Sequence, residues 1–207
     1  VAYKRKREGK TDYKRRLTYL KSGKTRIVIR ASKNNIQIQA VNFDMDGDKV
    51  ISTTKSTELK KQGWGFSTGN TPAAYLTGLL FGNKVKDKVK EGIGDLGRNS
   101  ITKWSRLPAV IKGIADSGIE IKYNESILPS EERISGKDIA KYAKDLSAEK
   151  EKYDKQFSKY LKNNQKPELI AEEFEKVKNK IQGSKKWNKL EENQWVHRRK
   201  PNSKNLE

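Results

Sequence analysis

Twelve of the first 30 residues are Lys or Arg and two are acidic, so the chain opens on a stretch too charged to build a core of its own. Residues 31–110 carry 12 basic and seven acidic groups, residues 111–181 carry 15 and 14, and residues 182–207 carry seven and three. Half of the formal net charge of +20 therefore lies before Ala31. The third segment, highly charged but nearly neutral, suits solvated helices laced with ion pairs rather than a polyanion-binding face. This asymmetry predicts a basic arm leading into a folded domain, with a helical extension behind it.

The rest of the composition narrows the chemistry. The chain has no Cys and one His, which removes disulfides and thiolate zinc sites and leaves any His-based catalysis or metal binding resting on His197. The apolar share, about 36% with Gly counted and Tyr not, falls below the roughly 45–50% of an ordinary globular chain, so a core is expected over only part of the length. A charge of +20 repels itself in the folded state, and a polyanion is the partner that relieves it. No apolar run is long enough to span a bilayer, and the basic start lacks a signal peptide's apolar stretch. The expectation is an intracellular, soluble, polyanion-binding protein with no membrane partner.

Periodicity supplies a coarse structure. The arm through Gly9 has none and is expected to be disordered without its partner. Thr11 is a candidate cap for a helix in which Tyr13, Leu17 and Leu20 share one face while Lys14, Arg15, Arg16 and Lys21 surround the rest, so that it would dock and bind at once. Alternation predicts strands over residues 25–31, 35–43 and 48–54, joined through Asn34-Asn35 and Asp46-Gly47 as an antiparallel meander. A short helix over 56–62 follows, then a glycine-rich loop, Gly63 to Asn70. A long helix starts near Pro72, capped by Asn70 or Thr71, with Ala73, Leu76, Leu80, Val85 and Val89 as its buried stripe. A strand at 93–96, a helix at 107–117 and a strand at 119–121 complete an α/β fold, a mixed sheet with packed helices. Beyond Pro129, helices are predicted over 136–161 and 167–181.

Several motifs dissolve on inspection. Gly92-Ile93-Gly94-Asp95-Leu96-Gly97 satisfies G-x-G-x-x-G, with Asp116 about 20 residues on, but lacks the preceding strand and following helix that would aim amides at a pyrophosphate. Asp44-Met45-Asp46-Gly47-Asp48 has its glycine at the fourth position of a calcium loop rather than the sixth, and Lys55 where the twelfth position needs Glu. Asn124-Glu125-Ser126 is a glycosylation sequon with no export signal beside it. His197, next to Arg198 and Arg199, reads as part of a basic tail. No cofactor, metal or catalytic residue is expected.

The binding signal is the set Lys4, Arg5, Lys6, Arg7, Lys10, Lys14, Arg15, Arg16, Lys21, Lys24, Arg26 and Arg30. Phosphate contacts from such a set release counterions, and Arg adds bidentate geometry. Trp64 and Phe66 in the glycine-rich loop either stack on splayed bases or plug the edge of the sheet.

Arg5-Lys6-Arg7-Glu8-Gly9-Lys10-Thr11-Asp12-Tyr13, Leu20-Lys21-Ser22-Gly23-Lys24, Gly63-Trp64 and Gly69-Asn70-Thr71-Pro72-Ala73-Ala74-Tyr75-Leu76-Thr77-Gly78-Leu79-Leu80 resemble the 5S-rRNA-binding large-subunit ribosomal proteins. That family is called L eighteen in bacteria and archaea and L five in eukaryotes, and the likeness is to the archaeal form. Gly113-Ile114-Ala115-Asp116-Ser117-Gly118 and Gly136-Lys137-Asp138-Ile139-Ala140-Lys141-Tyr142-Ala143 extend it, to a span of about residues 3–181. The resemblance implies a ribonuclease-H-like ribosomal fold without catalysis. It also implies a cytoplasmic place in the central protuberance of the large subunit. The implied partners are 5S rRNA, large-subunit rRNA and neighbouring ribosomal proteins, including the other 5S-binding protein. The contacts it implies with 5S rRNA run through the arm, the first helix and the sheet, and the candidate RNA-binding residues are the twelve cations together with Trp64 and Asn70.

The expected organisation is an arm over 1–10, an α/β RNA-binding domain over 11–128, a helical extension over 129–181 and a basic tail over 182–207. Two other functions fit the composition. One is a metal-dependent nuclease using Asp44, Asp48 and Asp95; the other is a general binder of duplex nucleic acid.

Overall fold

Residues 25–55 alternate apolar and polar side chains, and in the computed structural model, which describes residues 3–183, they form three antiparallel strands. These are β1 (Thr25–Ala31), β2 (Ile36–Asn42) and β3 (Lys49–Lys55). The β1–β2 turn is closed by the Ser32 amide donating to the Asn35 carbonyl at 2.8 Å. In the β2–β3 connection Gly47 adopts φ 139°, where a side chain would be strained, and donates its N–H to the Asp44 carbonyl. Two parallel strands, β4 (Glu91–Asp95) and β5 (Glu120–Ile121), extend the sheet to the order β3-β2-β1-β4-β5.

Each parallel step needs a crossover, and helices supply both. Helix α3 (Thr71–Val85) links β3 to β4, and α4 (Arg106–Asp116) links β4 to β5. Asn70 caps α3 by accepting the Ala73 amide at 2.9 Å, and Pro72 sits in the first turn. The two helices cross at bare backbone. A Cβ on Gly78 would lie 2.3 Å from the Val110 carbonyl, and one on Gly113 the same distance from that of Tyr75. Ile27, Ile29, Ile36, Ile38 and Ala40 pack beneath α3 and α4 in one apolar core.

The C-terminal helices close the other side of α3. They are α5 (Glu131–Ser135), α6 (Lys137–Leu146), α7 (Lys150–Lys162) and α8 (Ile170–Gly183). Ile170, Phe174, Val177 and Ile181 of α8 join the core, the Tyr75 and Phe174 rings lie 5.8 Å apart, and Asn83 donates to the Ile181 carbonyl. Cover from both sides explains why α3 buries most of its surface instead of a single stripe. The Tyr75 hydroxyl donates to Asp116 at 2.8 Å, and burial, reinforced by that carboxylate, pushes its pKa above the usual 10. In α7, Tyr153 donates to Glu168, and desolvation together with that bond pushes it up to about 12.

Four local expectations are corrected. The arm is not featureless: a single helical turn, α1 (Lys4–Arg7), forms from local backbone bonds, with Arg5 Nε donating to Thr11 Oγ1 and the Tyr3 ring 5.2 Å from that of Tyr13. The cap of α2 (Tyr13–Lys21) is Asp12, whose carboxylate accepts the Arg15 amide and is held below its ordinary pKa chiefly by that bond. The long α3 stops at Val85, so Val89 is buried from beyond its end. The helix expected over 136–161 is two, α6 and α7, separated at Ser147–Glu149. The short helix expected over 56–62 does form, as a 3-10 helix.

Candidate nucleic-acid interface

Side chains alternate across a strand, so Arg26, Val28 and Arg30 of β1 share the face opposite Ile27 and Ile29. The register aligns Val28 with Asp95 of β4, which puts that carboxylate between the two arginines. Arg26 Nη1 pairs with Asp95 Oδ2 at 3.2 Å, while its Nη2 pairs with Asp48, before β3. Arg16 of α2 reaches both oxygens of Asp48 at 2.9 Å. Arg30 binds the Asp95 carboxylate at 3.3 Å and its carbonyl at 2.7 Å. The result is an alternating row, Arg16–Asp48–Arg26–Asp95–Arg30, with one more positive than negative charge.

Arg26 is the hidden centre of this row, at 3% exposure, and its Nε has no hydrogen-bond partner among the described residues. Asp95 is nearly as buried and also accepts the Gly97 amide at 2.8 Å. A buried carboxylate left alone would carry a large desolvation cost, and here guanidinium groups and an amide meet it from several directions. Tyr19 of α2 lies against the same row; partial burial and the Asp95 charge raise its pKa. Arg15 completes the attachment of α2 by donating to the Gly97 carbonyl at 2.9 Å.

Helix α2 thus docks through charge, not through the expected apolar face: it has no buried residue, and Leu17 is 54% exposed. The twelve cations separate accordingly. Arg16, Arg26 and Arg30 serve the internal row, Lys24 pairs with Glu91, and Lys10 pairs with Glu8 at 2.8 Å. Lys4 stands 4.0 Å from Glu8, Arg5 bonds Thr11, and Arg15 bonds Gly97. Lys6, Arg7, Lys14 and Lys21 are exposed on α1 and α2 and make no ionic or side-chain hydrogen bond among the described residues.

The two other candidates make internal contacts. Trp64, at 1% exposure, packs edge-on to Phe66 at 5.5 Å and donates Nε1–H to the Ser67 carbonyl, so its ring is enclosed in the core rather than presented to a base. Phe66 in turn meets Tyr160 of α7, whose pKa burial raises. Asn70 spends its carboxamide oxygen on the α3 cap. Trp187, Trp195 and His197 lie outside the described residues.

The three acids of the nuclease alternative are not brought together. Asp48 and Asp95 converge, but on the Arg26 guanidinium, where a cation already stands between them. Asp44 is half-buried and pairs instead with Lys49, which holds its carboxyl below the usual range. Among the described residues no cluster of three or more His, Cys, Asp or Glu could hold a metal ion, and no helix is long and apolar enough to cross a membrane.

Sequence reasoning missed Arg106, which donates to the carbonyls of Ser32, Lys33 and Gly69 at 3.0–3.2 Å and ties three segments into one corner. It also missed the roles of Asp48 and Asp95 as partners of Arg26. Strand alternation could have placed Arg26 and Arg30 on one face, but no local signal announces pairings to residues this distant in the chain.

Residues 1–94 match the protein family described as ribosomal large subunit proteins 60S L5 and 50S L18. The large ribosomal subunit protein uL18 of Methanococcus maripaludis is 45% identical over 182 residues, covering 87% of this chain and 94% of that protein. The uL18 of Korarchaeum cryptofilum is also 45% identical over 182 residues, covering 87% of this chain and 93% of its own.

Proposed function

We propose, from the premise that this chain belongs to the family of large ribosomal subunit proteins L5 and L18, that its exposed cations bind 5S rRNA and anchor it in the central protuberance. Membership makes the protein a structural component of the large ribosomal subunit, with rRNA as its partner, rather than an enzyme. The finer reading rests on one observation: Lys6, Arg7, Lys14 and Lys21 stand free on α1 and α2 while the row beneath them fixes α2 to the sheet. Unpaired cations on an anchored helix meet phosphates without first breaking internal pairs, and each phosphate neutralised releases counterions. The residues of the arm, 1–10, act together with the α/β domain, and neighbouring ribosomal proteins adjoin the assembled complex.

Deleting residues 1–10 tests this. Helix α1 buries no residue, so the remainder should stay folded. Filter binding should show a large loss of 5S rRNA affinity and a shallower salt dependence, whereas an unchanged affinity would rule the arm out. Duplex DNA should compete poorly with 5S rRNA; equal competition would favour a general nucleic-acid binder.

A further inference from the structure

The connection between β4 and α4 holds an exposed aromatic in an unusual backbone conformation. Trp104 has φ 58°, in the left-handed region that side chains seldom adopt, and its indole is 57% exposed. Its amide donates to the Ile127 carbonyl at 3.0 Å, so the conformation is held from outside the loop. Ile101 and Tyr123, also exposed, line a cavity of about 630 Å³ together with Ile127. The tryptophan therefore adds nothing to the core, and a conformation of this kind persists where the surroundings impose it, commonly at a functional position.

The surroundings indicate what it meets. Residues 98–106 contain Arg98, Lys103 and Arg106 and no acid. Arg98 donates to the Gly9 carbonyl at 2.5 Å, joining this loop to the basic arm, and Arg106 fixes its other end to the β1–β2 turn and to Gly69. We infer that Trp104 is a stacking platform for an unpaired rRNA base, a contact outside the cationic surface of α1 and α2. This rests on the rRNA-binding reading above. A positive loop contiguous with the arm favours a polyanion over an apolar protein segment, and an exposed indole face accepts any base. The base belongs to 5S rRNA or to large-subunit rRNA, and each is titrated separately.

The test uses the intact chain with each RNA at one moderate salt concentration, then across a salt series. Trp104→Ala should lose roughly 5- to 150-fold in affinity for at least one RNA, the range expected for one stacked base. Trp104→Phe should retain more than Trp104→Leu, since only Phe keeps an aromatic face. Trp104→Gly should bind as weakly as Trp104→Ala while melting no lower than wild type, because glycine accepts the left-handed backbone. The slope of log affinity against log salt should not change in any of them. Wild-type affinity in all four variants for both RNAs overturns the inference, and equal loss in the Phe and Leu variants overturns stacking. Failure of the wild-type chain to bind 5S rRNA overturns only the earlier reading, because the large-subunit rRNA titration still decides the role of Trp104.

Discussion

Lys14 and Arg26 carry the same unit charge and come from the same basic stretch, yet one stands in solvent and the other is sealed between two carboxylates. The difference divides the basic region into a part that holds the fold and a part that is available. Arg16, Arg26 and Arg30 are bound into the row with Asp48 and Asp95, and a phosphate reaching Arg26 would have to displace an acid already in place. Lys6, Arg7, Lys14 and Lys21 have no ionic partner among the described residues to give up. Net charge counts both groups alike, but counterion release on RNA binding should come from the second.

The largest effect expected from breaking this contrast is on stability. Arg26→Met leaves Asp95 buried with one fewer guanidinium and should destabilise the protein by about 3–5 kcal/mol in urea denaturation, the usual cost of removing one partner from a buried ion pair. The salt slope of RNA binding by the remaining folded protein should stay close to wild type. A loss below about 1 kcal/mol, the range of a surface pair, would mean that the row does not hold the fold.

The complementary change sharpens the contrast from the other side. Replacing Lys6, Arg7, Lys14 and Lys21 together with Gln should leave the melting temperature nearly unaltered, because none of their side chains has a partner among the described residues. If each neutralises one phosphate, the slope of log affinity against log salt should become shallower by about 3. An unchanged slope would transfer the binding role to the paired cations.

This division also marks how far the sequence could be read. The meander, the α3 and α4 crossovers and the added parallel strands follow from alternation, caps and turn residues, all of which act over a few positions. The separation of paired from free cations does not, since Arg26 finds Asp48 and Asp95 only after four strands have come into register. Trp64 illustrates the same limit: a tryptophan among glycines suits a stacking loop until Phe66 and Tyr160 close over that region. Helix α2 is the reverse case, where a plausible apolar spacing of Tyr13, Leu17 and Leu20 leaves none of the three buried, and charge fixes the helix instead.

Tyr19 offers the smallest and most local test, because it lies at the boundary between the two groups. Its pKa is raised from 10.0, first by desolvation and then by the Asp95 charge, with Arg15 and Arg30 acting in the opposite direction. A raised pKa in the folded state means that the folded protein holds this proton more tightly than the unfolded chain does. The associated stability is present in full below the unfolded value near 10 and is lost as pH climbs through the folded value. The side chain is only partly buried, so solvent screening should keep the effect under about 1 kcal/mol. Melting curves of wild type and Tyr19→Phe should therefore run parallel up to about pH 10, after which the wild type should fall faster. Parallel curves throughout would place Tyr19 outside the field of Asp95 and shorten the row's reach into α2.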